Sequence, residues 1–170
     1  VSIGTPDHWH AVVTIAAAKS GKDIYCEKPL SLTIAEGRAM VDAVHAYGRV
    51  LQTGTWRRSR SGCRRACELV RNGRIGELKK IVIGVPRGFA VRNGEQSELE
   101  KPQPIPEGFD YDMWLGPAPW AEYAPGRCHF NFRWIMDYGE GYISDWGAHY
   151  YDIGQWANGT DHTGPISVEG

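Results

Sequence analysis

The chain has 170 residues and 18.9 kDa, 42% hydrophobic and 23% charged, which is the make-up of one globular domain, or parts of two, and not of a disordered segment. No apolar run reaches the roughly 18 residues that a membrane-spanning helix needs, and a net charge of −1 gives no global pull toward nucleic acid or anionic lipid. Val1–Gly4 reads as a short buried strand. Asp7 to Lys19 is a predicted helix with Ala11, Val12, Ile15 and Ala16 on its inner side and Ser20-Gly21 as its stop. Asp23–Cys26 is a second strand. Thr33, followed three residues later by Glu36, is a capping box that opens a second helix. That helix turns Ala39, Met40, Ala43 and Val44 inward and stops at Gly48. Val50–Gln52 is a third strand, and Ser61 to Asn72 a third helix closed by Gly73. Strand–helix units this short imply a parallel sheet with right-handed crossovers.

The second half changes character. Lys79–Val85 is rich in β-branched residues and reads as a strand. Residues 86–128 are loop-rich and hold most of the prolines; Trp114-Leu115-Gly116-Pro117 within them looks like one helical turn. Gly141 to Ala157 is a predicted amphipathic helix ended by Asn158-Gly159. A boundary near Gly76 divides the chain into residues 1–75 and 76–170. Opening inside a strand and closing at Val168-Glu169-Gly170 inside another, the chain reads as a fragment, and its localisation is unknown.

Residues 56–80 carry nine basic and two acidic side chains. Without interleaved aromatics or a groove-reading motif this is a solvated helix face, and no nucleic-acid partner is expected. Cys26, Cys63, Cys67 and Cys128 form no CxxC pair and read as free thiols. Chemistry concentrates in three places. Gly4-Thr5-Pro6-Asp7-His8-Trp9-His10 follows a strand end, where open parallel sheets bind ligands. His8 and His10 are candidates there, although a loop histidine is more often a cap or a packing residue. Glu27-Lys28-Pro29 follows the next strand end; a lysine so near the binding rim is unusual, and Glu27 is placed to hold its charge. Asp145, His149 and Asp152 lie at i, i+4 and i+7 and share one helix face. An imidazole between carboxylates is an acid/base arrangement; a further metal ligand is not evident, and no metal is expected.

Taken together, Thr5-Pro6-Asp7-His8-Trp9-His10-Ala11, Glu27-Lys28-Pro29-Leu30-Ser31, Gly54-Thr55-Trp56-Arg57-Arg58 and Gly139-Glu140-Gly141 ahead of Asp145-x3-His149-x2-Asp152 resemble the Gfo/Idh/MocA family of NAD(P)-dependent oxidoreductases, most closely its bacterial sugar-type branch. The resemblance implies an α/β fold: the C-terminal part of a Rossmann-type parallel-sheet domain, then part of an α/β substrate domain with an open sheet. It implies NAD or NADP as cofactor, a carbohydrate-like substrate and a homo-oligomeric parent. It assigns Lys28 as the catalytic lysine, His149 as the general acid/base and Asp145 as its support or the substrate's. Thr5, Pro6, His10 and Glu27, with Lys28, would line the cofactor pocket, and Asp152 would bind substrate hydroxyls. The family's glycine-rich fingerprint and its NAD/NADP-choosing residue are absent from the chain, and Glu140 replaces the middle glycine of a triplet.

This assignment is chemically coherent. A secondary alcohol that loses a hydride must also lose its hydroxyl proton; a neutral His149 can take it, Lys28 can stabilise the developing alkoxide, and only a nicotinamide can take the hydride. An NAD-retaining glycosidase acting by transient sugar oxidation would use the same residues. A non-catalytic dinucleotide-binding regulator would have no need of Lys28, Asp145 and His149 together. Arg57, Trp114 and His129 are further substrate candidates, with Trp120 and Tyr123 from the aromatic loop region. Without the fingerprint, the isolated 170 residues are expected neither to bind NAD usefully nor to turn over substrate, and to associate through exposed apolar faces.

Overall fold

The computed structural model describes residues 1–85 and 101–169. Strands β1 (Ser2–Ile3), β2 (Ile24–Cys26) and β3 (Leu51–Thr53) form a parallel sheet in that order. Ile3 is in register with Cys26, and Cys26 with Thr53. Helices α1 (Asp7–Lys19), α2 (Ile34–Ala46) and α3 (Ser61–Arg71) follow the strands in turn. The pleat sends Ile3, Ile24 and Cys26 into one core with Ala11, Ala17, Ala18, Met40 and Val44, and leaves Ser2, Tyr25 and Gln52 exposed. α1 and α2 pack on each other, while α3 packs on α6 (Gly147–Asn158). The parallel α/β fold is therefore the expected one.

The capping box that starts α2 is present in full: Glu36 N–H donates to Thr33 Oγ1 at 3.2 Å, and Thr33 N–H donates to Glu36 Oε2 at 2.9 Å. Other expectations need correction. The buried stripe of α1 is Asp7, His8, His10, Ala11, Thr14, Ala17 and Ala18, whereas Val12 and Ala16 are exposed; polar residues fill the inner face that hydrophobicity alone would have given to Val12. Ala39 of α2 is likewise exposed. Lys79–Val85 forms no ladder among the described residues. A β-branched run needs a partner strand, and here it borders a cavity of about 330 Å³ with Val70, Tyr150 and Gly154. Residues 166–169 are not a strand either. Of the 86–128 loop region, residues 86–100 lie outside the described residues, as does Gly170.

The second half has its own aromatic core of Tyr111, Leu115, Tyr123, Cys128, Phe132 and Tyr138. The expected helical turn is α4 (Tyr111–Leu115), shifted toward the N-terminus because Asp110 accepts Met113 N–H at 2.9 Å and caps it. The helix expected over 141–157 is two: α5 (Gly141–Asp145) and α6, separated at Trp146. Two side chains of α1 dock the halves together. Trp9 Nε1 donates to the Trp114 carbonyl at 3.1 Å, and His8 Nε2 lies 3.0 Å from the same oxygen. The chain leaves α4 through Gly116 at φ 50°, where a Cβ would stand 2.1 Å from the Trp9 ring, so both the conformation and the close approach require glycine.

Candidate active site

Parallel strands carry their C-terminal ends to one rim, so Gly4-Thr5-Pro6, Glu27-Lys28 and Gly54-Thr55 converge there. His10, 1% exposed, braces the first two ends: its Nδ1 lies 2.7 Å from the Pro29 carbonyl and its Nε2 2.9 Å from the Thr5 carbonyl. His8 is a packing residue between the Trp114 and Tyr138 rings. The Lys28–Pro29 peptide is cis. Glu27 folds across the end of β3, its Oε2 2.9 Å from where a Gly54 Cβ would be, so only glycine leaves room for it.

Glu27 does not neutralise Lys28 as expected. Its Oε2 accepts the Lys28 backbone N–H at 3.3 Å and its Oε1 the Tyr25 hydroxyl at 3.5 Å. The Lys28 ammonium instead forms an ion pair with Asp145 Oδ1 and donates to the Asp145 carbonyl at 2.9 Å. The two side chains are 17% and 11% exposed. Arg133 Nε stands 3.7 Å from the same carboxylate oxygen. The end of β2 and the end of α5, 117 residues apart in sequence, are thereby fastened together.

His149, on the first turn of α6, is buried, and its Nδ1 has no hydrogen-bond partner. Trp56 presents an edge to it at 5.5 Å. Burial, then the Lys28 and Arg57 charges, lower its pKa below the ordinary 6.5 against the opposing pull of Asp145 and Glu27. The imidazole is thus held neutral, with a cation beside it. Asp145 acts on it through space and makes no hydrogen bond to it.

Asp152 stands apart from this group. Its carboxylate accepts Arg58 Nε at 2.9 Å and Nη2 at 2.7 Å in a bidentate pair, and Arg58 also donates to Asp161 at 2.8 Å. With Arg64 on Glu68, Arg71 near Asp161 and Lys79 on Glu77, four of the nine basic side chains of residues 56–80 form ion pairs among the described residues. Arg57 lies between the Trp56 and Tyr150 rings, and its buried Nε lacks a partner. Trp114 and Tyr123 sit in the aromatic core, while Trp120 is 74% exposed. His129, with φ 53°, lines a pocket of about 410 Å³ together with Thr5, Pro6, Trp114 and Arg133. Arg133 and Arg58 carry no local mark as partners of Asp145 and Asp152, since no periodicity links positions so far apart. Asp7, 6% exposed and under the charges of Lys28, Arg133 and Asp145, belongs to the strand-end motif but is not singled out by it.

Comparison with known proteins bears on the family and the fold. Residues 1–55 match the profile of an oxidoreductase family's NAD-binding Rossmann fold, and residues 59–170 match that of its C-terminal alpha/beta domain. Levoglucosan dehydrogenase of Pseudarthrobacter phenanthrenivorans is 59% identical over 44 residues, 26% of this chain and 11% of that protein. Inositol 2-dehydrogenase of Azotobacter vinelandii is 41% identical over 69 residues, 40% of this chain and 20% of that protein. The crystal structure of an oxidoreductase domain protein from Kribbella flavida superposes with a TM-score of 0.64 at 26% identity, over 94% of this chain and 35% of that one. The chain thus spans about a third or less of the length of each of these proteins. With both profiles in order along it, and the second alone covering more than half of it, the chain belongs to the Gfo/Idh/MocA oxidoreductase family.

Proposed function

We propose that these residues form the reactive half of an NAD(P)-dependent dehydrogenase acting on a hydroxyl of a sugar, polyol or sugar derivative. The observation that carries this reading is the juxtaposition of the Lys28 ammonium, held on Asp145, with a buried neutral His149 at the carboxyl rim of a parallel sheet. The residues present suit the nicotinamide end of a dinucleotide. Gly4, Thr5 and Pro6 open onto a pocket of about 410 Å³, and the absent Cβ of Gly54 leaves space for the Glu27 carboxylate at the rim. Thr5, Pro6, His10, Glu27 and Lys28 are the cofactor-side residues of this proposal. A bound nicotinamide supplies the hydride acceptor or donor that no side chain can be.

The chain's own groups manage the proton and the charge. His149 accepts the substrate's hydroxyl proton during oxidation and returns it during reduction. Lys28 donates toward the oxygen as negative charge grows on it. Asp145, with Arg133 behind it, fixes where the Lys28 ammonium stands. Arg57, with its unpartnered Nε, and the pocket residues Trp114 and His129 contact the substrate. Asp152 reaches substrate hydroxyls only together with Arg58, since the two are joined. The division near Gly76 and a homo-oligomeric whole protein remain parts of the proposal.

The test is a panel of polyols, aldoses and anhydrosugars offered to the complete protein with NAD+ or NADP+, read as the near-ultraviolet absorbance of the reduced cofactor. Accumulation with at least one substrate, lost in Lys28→Ala and His149→Asn, is the expected result. Aglycone release from glycosides without added cofactor would replace this reading with the glycosidase one.

A further inference from the structure

Asp7 has no part in the scheme above, yet it lies at its centre. It occupies the first position of α1, directly after Thr5-Pro6, and is 6% exposed. Pro6, the residue before the helix, has no side chain to cap it. Charges from three other elements face the Asp7 carboxyl: Lys28 after β2, Arg133 in the turn at 131–134, and Asp145 at the end of α5. The Cys26 thiol of β2 also lies within reach of its charge. Gly139 brings Asp7 and Arg133 together: a Cβ there would stand 3.1 Å from Asp7 Oδ2 and 3.2 Å from the Arg133 Cα and carbonyl oxygen. Two cations and one other acid thus act on this buried carboxyl.

We propose that Asp7 is a positioning residue of the site, whose carboxyl sets the net charge of the Lys28–Asp145–Arg133 cluster and so the strength with which Lys28 stabilises charge on the substrate oxygen. The role rests on the dehydrogenase reading given above. With Asp7 protonated, two cations face one carboxylate, and the cluster keeps one positive charge. With Asp7 ionised, the cluster is neutral. A developing alkoxide is better stabilised by the first state, so the protonated form is the faster one. Burial first, and then the Asp145 carboxylate, push the Asp7 pKa from 3.8 up to about 7, against Arg133 and Lys28. The change of state therefore falls in the neutral range.

The experiment is kcat and KM against pH for the complete wild-type protein and for Asp7→Asn, which is close in shape and permanently uncharged. The ratio of variant to wild-type kcat is expected to be near one at pH 6 and to climb by up to about tenfold by pH 8, following the loss of the Asp7 proton. KM should move little. Forming the ratio cancels every other titration the two proteins share. A merely structural Asp7 would lower the variant equally at all pH values, and that flat ratio would overturn the proposal. Asp7→Ser, also uncharged, serves if the first variant does not fold. The wild-type kcat profile must itself bend near pH 7, and a profile without that bend overturns the proposal whatever the variants do. Wild-type turnover with a flat ratio removes this role alone; no wild-type turnover of any polyol or sugar removes the reading of the site and this role together.

Discussion

Lys28 and Asp145 are each other's principal partner, but neither would be isolated by the loss of the other. Both side chains keep some solvent contact, and Arg133 stands 3.7 Å from the carboxylate. Lys28→Ala therefore leaves Asp145 with a second cation, and the expected stability loss is about 1–2 kcal/mol. Its effect on turnover is expected to be a fall of about 10²–10³-fold, the cost of removing one donor from a developing oxyanion. Chemical denaturation beside steady-state kinetics checks both figures, and near-normal turnover would take Lys28 out of the mechanism. His149 makes a separate prediction. Because burial and the adjacent Lys28 and Arg57 lower its pKa, the neutral imidazole persists into mildly acidic solution. Oxidation should rise with pH through a pKa below 6.5, and His149→Asn should abolish that limb with a loss of about 10²–10⁴ in kcat. A His149→Asn protein with the wild-type profile and amplitude would require another base.

At the scale of elements, the docking of α1 against α4 depends on one glycine. Gly116 combines φ 50° with a Trp9 ring 2.1 Å from where its Cβ would be. Neither the backbone nor the indole can yield easily, because Trp9 Nε1 is tied to the Trp114 carbonyl. Gly116→Ala is expected to cost about 2–4 kcal/mol, adding overpacking to left-handed strain, and Trp9→Ala in the same chain should recover part of it. Additive losses in denaturant melts would refute the contact. The same elements mark where sequence reasoning succeeded. Three strand ends, their helices and the Thr33–Glu36 cap were legible because each is written in neighbouring residues. Lys28, Asp145 and His149 were legible as a group through motif resemblance, whereas the Lys28–Asp145 pair, in place of Lys28–Glu27, needed the fold. The Arg58–Asp152 pair spans 94 residues, and no local pattern encodes it. Lys79–Val85 misled because β-propensity describes a residue's fit to a sheet and not the presence of a partner. The break at Trp146 was invisible for a related reason: Asp145, His149 and Asp152 are spaced in sequence as on one helix, although Asp145 ends α5 and the other two lie on α6.

For the molecule as a whole, the buried titratable groups make opposite demands on pH. His8 and His149 have pKa values lowered chiefly by burial. Their neutral forms suit the fold, so their contribution is present above 6.5 and is lost as pH falls below it. Asp7 runs the other way. Its pKa rises from 3.8 to about 7 on folding, so the native state binds a proton that the unfolded chain has released. That stabilisation is complete below pH 3.8 and disappears as pH rises through 7. Between 3.8 and 6.5 the two trends oppose each other and partly cancel. Above 6.5 the histidines no longer respond, and the Asp7 contribution alone among these three continues to change. The wild-type protein is therefore expected to lose about 1 kcal/mol of unfolding free energy between pH 6.5 and 8, the part of the Asp7 linkage that remains in that window. Asp7→Asn should be flat over the same interval, since its amide does not titrate, while retaining the decline on the acid side that belongs to the histidines. Urea melts at half-unit steps of pH measure both slopes without any substrate or cofactor. A wild-type slope that survives unchanged in Asp7→Asn would mean that this carboxyl is already ionised in the folded protein at neutral pH, and that the Lys28 and Arg133 charges outweigh its burial and the repulsion of Asp145.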